Sequence, residues 1–267
     1  SLPAVNVAGR TVLLTGATGG LGQAIARRLH AVGAQLVLTG RRADVLEGLA
    51  AETGALTVAV DLADPVAVDG LAEACADVDV LVSNAGLPAS GQLTSFSGEE
   101  IDRALAVNLR APMVLARHLA ERMVARRSGH IVFMSSLAGK VGPARGSVYS
   151  ATKFGLRGFA QSLREDLRPS GVGVSAIFPG FVRDAGLFHD SGAKVPSWIG
   201  TSAPDEVADA VLRAIVENRG EVDVAPLGMR AGTKVAGLAP DLAASVQRRL
   251  GAQRIAEQHV TGQADKR

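Results

Sequence analysis

Tyr149 and Lys153 stand four residues apart in Tyr149-Ser-Ala-Thr-Lys153, a spacing that puts both side chains on one face of a helix. A free tyrosine ionises near pH 10, too high to exchange its proton easily at neutrality. An ammonium held beside it favours the phenolate and lowers that value. Lowering it by about two to three pH units requires roughly 3–4 kcal/mol of differential interaction, attainable for a close charge in a dry pocket. Upstream, the apolar run Ile131-Val-Phe-Met134 reads as a buried strand and ends in Ser135-Ser136. The same Y-x-x-x-K spacing also describes a solvated pair on an ordinary helix. Its meaning therefore depends on whether the rest of the chain builds a site around it.

The elements available for that task alternate along the chain. Short β-branched runs read as strands at Thr11–Thr15, Gln35–Thr39, Leu56–Val60, Val78–Val82, Ile131–Met134, Val172–Phe178 and Glu221–Ala225. Amphipathic segments such as Gly20–Val32 and Ala43–Glu52 lie between them. Such alternation specifies an α/β fold, with a parallel sheet and helices on both faces. Right-handed crossovers make it doubly wound, a Rossmann-type sheet of about seven strands. Asp64-Pro65 is a helix start with a capping carboxylate and proline at the first helical position. No repeat or linker divides the chain, so residues 1–267 are expected to form a single domain with its core over about 7–225. The irregular stretch 183–203 reads as a mobile loop, and 227–267 as a partly helical tail.

Composition narrows the function classes. The 47% hydrophobic content carries only 3% aromatic residues, which suits Ala/Val/Leu helix-on-sheet layers better than a sandwich. A net charge of +2 gives no field for nucleic acid, and the basic pairs are scattered. Cys75 is the only cysteine, which excludes an intrachain disulfide or a Cys-rich metal site and suggests a buried structural thiol. No signal-peptide pattern and no membrane span is evident, so a soluble cytoplasmic protein is expected.

Directly after the first strand comes Thr15-Gly16-Ala17-Thr18-Gly19-Gly20-Leu21-Gly22, opening into a helix. Glycines there let the backbone turn and approach a pyrophosphate, whose charge the free N–H groups and helix dipole favour. In a 3-2-1-4 strand order the first and fourth strands flank the ligand crevice. The fourth ends in Ser83-Asn84-Ala85-Gly86, small enough for close approach by a ligand, or simply a tight turn.

Together these stretches resemble the short-chain dehydrogenase/reductase family. The T-G-x-x-x-G-x-G spacing over Thr15–Gly22 matches, as do Asn84-Ala85-Gly86, Asn108, Ser136, Tyr149, Lys153 and Pro179-Gly180. The resemblance runs from about Val7 to Ala225. It implies a nicotinamide dinucleotide, hydride transfer between a secondary alcohol and a carbonyl, and a homo-oligomer, dimer or tetramer. The large apolar side chains of the stretch 183–203 suggest a small, apolar carbonyl substrate. The resemblance further implies Tyr149 as general acid or base, Lys153 as its tuner and a ligand of the nicotinamide ribose, and Ser136 as the group polarising the substrate oxygen. Thr15, Gly16, Thr18, Gly20, Leu21 and Gly22 would hold the phosphates, and Pro179, Gly180 and Val182 the nicotinamide end. Asn108 would anchor a water relay to Lys153.

For Asn108 the residues supply a reason of their own. Pro112, four positions on, has no N–H, so a helix through this segment must distort and free the Asn108 carbonyl. Alternatively, one helix ends at Asn108 and another begins. After the second strand, Gly40 occupies the place of the acid that an NAD-preferring site uses, and Arg41-Arg42 follow. A guanidinium can grip a 2′-phosphate with parallel hydrogen bonds, so NADP(H) is expected over NAD(H). Asp61-Leu62 matches the adenine-contacting pair of the family, though Asp61 could simply cap the next turn. The family's threonine after Pro-Gly is replaced by Asp184, which, ionised, accepts but cannot donate. Gly142, Pro143, Phe181, Phe188 and Trp198 are candidates for the substrate wall and its lid, or for packing under a static loop, and His189 for the surface. The rival to an enzyme is a dinucleotide-binding regulator or scaffold on the same fold, which would have no use for a proton donor.

Overall fold

The computed structural model describes residues 6–192 and 199–239, together with positions 241, 245 and 260. Strands β1 (Thr11–Leu14), β2 (Gln35–Gly40), β3 (Leu56–Ala59), β4 (Val80–Ser83), β5 (Gly129–Met134), β6 (Val172–Pro179) and β7 (Glu221–Val224) coincide closely with the apolar runs of the sequence. They pair in parallel as one sheet ordered β3-β2-β1-β4-β5-β6-β7. The winding reverses between β1 and β4, which is where an open α/β sheet presents its crevice.

Helices cover both faces because successive strand residues point to opposite sides. Val12, Leu14, Val80, Val82, Val132 and Ile177 face one layer, packed by α1 (Gly20–Ala31), α2 (Ala43–Thr53) and α8 (Pro204–Val216). Leu13, Leu81, Ile131, Phe133, Val174 and Phe178 face the other, packed by α3 (Pro65–Ala74), α5 (Ala111–Ala125) and α6 (Ser147–Leu167). The Asp64 carboxylate caps α3 through the Val66 N–H at 2.9 Å, as its Asp-Pro start implies. Cys75 is buried in the same layer, and burial pushes its thiol pKa up.

The segment before Pro112 does not break into two helices. α4 (Gly98–Leu105) runs into a π-helical turn over Ala106–Arg110 and then into α5. Within that turn the Ala111 N–H reaches back five residues to the Ala106 carbonyl. A wide turn of this kind absorbs the missing proline N–H and its ring without ending the helix. Two further helices are α7 (Gly186–His189), a single turn, and α9 (Leu227–Leu238). Among the described residues, no helix is long and apolar enough to cross a membrane.

One polar group is sealed far from the crevice. His130, fully buried on β5, sits beside Gly173 on β6, where a β-carbon would come within 2.2 Å of its Nδ1. Its Nε2 lies 2.8 Å from Ser175 Oγ, and Ser175 donates onward to the Arg219 carbonyl. The Nδ1 has no partner among the described residues. Burial, reinforced by the nearby Arg164 charge, lowers the imidazole pKa to about 3. The folded protein therefore refuses a proton that the unfolded chain accepts below its ordinary value of 6.5. The stability this gives is complete above pH 6.5 and is lost as pH falls towards 3, at about 1.4 kcal/mol per pH unit. Urea unfolding between pH 7.5 and about 5, above the ordinary carboxylate range, should show this fall in the native chain and a shallower one in His130→Gln. Equal slopes would assign the acid sensitivity elsewhere.

Candidate active site

At the carboxyl edge of the sheet lies a cleft of about 1440 Å³, larger than a single small-ligand site requires. Its base is a staple between β1 and β4. Thr15 is fully buried and its hydroxyl accepts from the Asn84 and Ala85 N–H groups at 3.0 and 3.1 Å. The Asn84 amide returns bonds to the Thr15 and Gly16 carbonyls at 3.1 and 3.2 Å. Thr15 thus lies beneath the cleft rather than on its surface.

Above the staple, the glycine loop is shaped by close approach. Gly16 has φ +66° and a β-carbon there would fall 2.7 Å from the Ala85 α-carbon. At Gly22 a β-carbon would strike the Gly16 carbonyl at 2.2 Å. Both are backbone collisions that no side-chain motion relieves. The loop ends at the N-terminus of α1, where Gly19 provides no side-chain cap and the first turn holds no acid. Free N–H groups and a positive helix end without a carboxylate are what a phosphate needs, so these residues fit a dinucleotide. Gly16, Thr18, Gly20, Leu21 and Gly22 all line the cleft here.

Beyond β2, the adjacent arginines separate. Arg42 donates to the Thr18 carbonyl and so braces the loop. Arg41 also borders the cleft and has no hydrogen bond or ion pair among the described residues. A β-carbon on Gly40 would come within 2.6 Å of Thr18 Cγ2, so this threonine fills the space an acid at position 40 would take. Asp61 and Leu62 line the same end. Asp61 does cap the following turn, accepting from the Ala63 N–H at 3.0 Å, and it pairs with Arg103 at 2.9 Å. Burial opposes its ionisation, but these two donors hold the carboxyl below its usual value. Arg103, on α4, also lines the cleft; nothing local in its sequence marks it, because it arrives through tertiary packing.

Ser136, Tyr149 and Lys153 meet in the cleft at the end of β5, and Ala85 and Gly86 line the wall from β4. Ser136 starts a 3-10 turn over Leu137–Gly139, its Oγ accepting from the Ala138 N–H at 3.2 Å. Lys153 Nζ donates to the Met134 carbonyl at 2.9 Å and lies 5.6 Å from the Tyr149 ring centroid. Burial drives the two in opposite directions. It lifts the phenol to about 12, against a lowering hydrogen bond with Ser136. It takes the ammonium down to about 8. In the protein alone, desolvation of the phenol therefore outweighs the lowering expected from the lysine. Asn108 stands fully buried behind the cleft. Its Oδ1 accepts from the Leu87 N–H at 2.7 Å and its Nδ2 donates to the Leu87 carbonyl at 3.0 Å, tying the loop after β4 to the π turn.

The far wall follows β6. Pro179, Gly180, Phe181 and Val182 line it, and the Phe181 and Phe188 rings lie 4.7 Å apart. Val182 bridges to Ser202 across the base of the loop, with Arg183 and Ser202 N–H groups bonding the Ser202 and Phe181 carbonyls at 2.9 Å each. Asp184 does not face the cleft. With φ 65° it turns out to a separate shallow groove beside Gln23 and Arg27 and pairs with Arg183 at 3.5 Å. Its neighbours Ala185, Gly186 and Leu187 take the cleft position instead. His189 is exposed, as expected of a surface residue. Gly142 is exposed and does not line the cleft, whereas Val141 and Pro143 do. Trp198 lies outside the described residues. The wall is completed by α9, through Met229, Thr233 and Val235 beside Gly228 and Gly232. This segment belongs to the stretch expected as a partly helical tail, and the two glycines one helical turn apart are its local signal.

Known proteins agree with this geometry. The sequence profile of the short chain dehydrogenase family matches residues 10–196. The ketoacyl reductase HetN of Nostoc sp. is 38% identical over 225 residues, 81% of this chain and 78% of that protein. The dehydrogenase/reductase SDR family member 7B of Bos taurus is 34% identical over 236 residues, covering 80% and 73%. Among solved structures, the short-chain dehydrogenase of Sphingobium yanoikuyae in complex with NADPH superposes with a TM-score of 0.76. It is 30% identical, over 88% of this chain and 95% of its own. A metagenomic short-chain oxidoreductase in complex with NADP gives 0.69 at 34% identity, over 83% and 97%. The chain belongs to the short-chain dehydrogenase family and is an NAD(P)-dependent oxidoreductase.

Proposed function

We propose that the protein is an NADP(H)-dependent carbonyl reductase in which Tyr149 transfers the proton. The observation that carries this reading is the convergence of Ser136, Tyr149 and Lys153 in the cleft that also receives the glycine loop. A bound dinucleotide would supply the hydride. A phenol lifted to about 12 keeps its proton at neutral pH but is a weak acid, so its donation to a carbonyl oxygen would rely on groups that stabilise the phenolate as it forms. Ser136 would hold that oxygen next to the phenol. Lys153, still charged at neutrality with its pKa near 8, would steady the phenolate left behind. Arg41 supports NADP(H), because it borders the cleft beside a Gly40 position closed to an acid. NADPH and NADP in two structural relatives favour the same cofactor.

The substrate would be an apolar ketone. Phe181, Phe188, Met229 and Val235 supply large apolar surface next to the reactive groups. Gly228 and Gly232 leave open space where side chains would stand, which favours an elongated substrate over a compact one. The name of one relative, a ketoacyl reductase, fits a β-keto ester or thioester. Exposed Leu105, Met113 and Phe154 support self-association as a dimer or tetramer. Against a regulator or scaffold stands the complete proton-transfer set.

Reduction of ethyl acetoacetate with NADPH tests the reading. Tyr149→Phe should abolish turnover with NADPH affinity nearly unchanged; an active variant would reject the proposed acid. Arg41→Ala should weaken NADPH at least about tenfold more than NADH, the loss of a charge-assisted pair, whereas equal losses would make Arg41 structural. Tyr149 is the only tyrosine, so the tyrosinate absorbance of the protein alone reads its ionisation directly. The phenol should remain protonated at pH 10 while the chain stays folded, and half-ionisation there would refute the raised value.

A further inference from the structure

Tyr149, Lys153, Arg157 and Gln161 recur at four-residue steps along α6 and form one stripe of the helix. Its upper half reaches the cleft, and its lower half ends in a part-buried ion cluster outside it. Arg157 grips Glu221 with two bonds, at 2.7 and 3.2 Å, and Gln161 adds a third at 2.8 Å. The opposite side of the Glu221 carboxylate, at 2.8 Å, and Asp223, at 2.6 Å, are taken by Lys140 Nζ. The Lys140 side chain is only 12% exposed, and its ammonium lies 4.0 Å from the centre of the Phe178 ring. Arg157 approaches the same ring at 5.7 Å.

Lys140 closes the turn that Ser136 opens. Its N–H and that of Val141 both bond the Leu137 carbonyl, at 2.9 and 3.0 Å. The turn is pressed on α6 at a second point. A β-carbon on Gly139 would lie 2.7 Å from the Lys153 carbonyl oxygen, to which Ser135 Oγ donates at 3.2 Å. Contact at Gly139 sets how close the turn comes to the helix but leaves it free to pivot. The ion cluster supplies the second constraint, joining the end of the turn to β7 and, through Glu221, to the helix that carries Tyr149.

We propose that Lys140 is a positioning residue: its pairing with Glu221 and Asp223, relayed to Arg157, fixes the Ser136 turn in register with Tyr149. The inference rests on the proposed roles of Ser136 and Tyr149. Removing Lys140 leaves Asp223 charged without its ion pair and Glu221 held from the Arg157 side alone, so the remaining groups rearrange. A displacement of about 1 Å at a reacting group can cost on the order of a hundredfold in rate. If the cluster merely anchored β7, its loss would lower stability without altering the surroundings of the phenol.

Because Tyr149 is the only tyrosine, a tyrosine isotope-labelled at its hydroxyl-bearing ring carbon gives one NMR resonance, a direct report on that phenol. Ser136→Ala should shift it. Lys140→Met should shift it in the same direction, and the double variant no further. Glu221→Gln and Asp223→Asn, which keep side-chain shape, should each give a smaller shift and serve if Lys140→Met folds poorly. With ethyl acetoacetate and NADPH, Lys140→Met should lower kcat about tenfold, by misplacement of Ser136, with the KM for NADPH unchanged and no added loss in the Ser136→Ala background. A wild-type resonance and kcat in all three cluster variants would overturn the proposal, even with a lowered melting temperature. So would a resonance indifferent to Ser136→Ala. Absence of turnover in the native chain would instead count against the functional reading, with the resonance still deciding the positioning role.

Discussion

Desolvation of Tyr149 and Lys153 is the condition on which the site depends. The packing that brings them together buries Lys153 and half-buries Tyr149, and each moves towards its neutral form, the phenol up to about 12 and the ammonium down to about 8. Their order is not inverted by this: near neutrality the lysine still carries its charge and the tyrosine its proton. What burial alters is the demand on the surroundings. A phenolate formed on this half-buried wall would be only partly hydrated, so fixed groups must share its charge, and those beside it in the cleft are the Ser136 hydroxyl and the lysine ammonium. Lys153 is held at the Met134 carbonyl, 2.9 Å away, not on the phenol itself. In the protein alone the phenol is moved by burial and, in the opposite direction, by the Ser136 hydrogen bond.

Fixed groups need a rigid frame, and the frame is made of side-chain-to-backbone hydrogen bonds and one close backbone approach. The Thr15–Asn84 staple binds the ends of β1 and β4, the two strands that flank the crevice. Asn108 ties the Leu87 backbone to the π turn through both a donor and an acceptor. Gly139 lets the Ser136 turn rest on the α6 backbone. Each contact joins segments far apart in sequence, so the geometry of the cleft is a property of the assembled sheet rather than of any one loop.

That division explains what could be read from the sequence. The strands were legible because a parallel sheet buried on both faces writes them as continuous β-branched runs, and the observed boundaries lie within two residues of those runs. Tyr149 and Lys153 were legible because helix periodicity is a local rule. Pro112 announced a distortion, yet its form, a π turn inside a continuing helix rather than a break, depended on Asn108 finding Leu87. Thr15 looked like a ligand contact because it belongs to the glycine motif, although its side chain turns inward. Asp184 was placed by its spacing from Pro179-Gly180, but a left-handed residue reverses the chain there. Arg103 and α9 reach the cleft only through tertiary packing. The tuning of the phenol was misjudged for a related reason: charge proximity can be read from i, i+4 spacing, whereas burial cannot.

The adenosine end shows how such packing can turn equivalent residues into different ones. Arg41 and Arg42 are adjacent and chemically identical, and either could be imagined on a phosphate. Because the chain leaves β2 and enters α2 at this point, their side chains diverge. Arg42 is committed to the Thr18 carbonyl, the same residue whose side chain overlies Gly40. Thr18 therefore does two things at once: it occupies the space of a β-carbon at position 40 and it engages one guanidinium, leaving the other for the cleft. A carboxylate at position 40 would have to displace Thr18 and so disturb the Arg42 brace and the glycine loop with it. In the proposed NADP(H) reading, cofactor discrimination would be a property of three packed residues, Thr18, Gly40 and Arg42, that leave a fourth, Arg41, at the cleft. A single substitution at position 40 would first perturb the phosphate loop and only then the choice between the two dinucleotides.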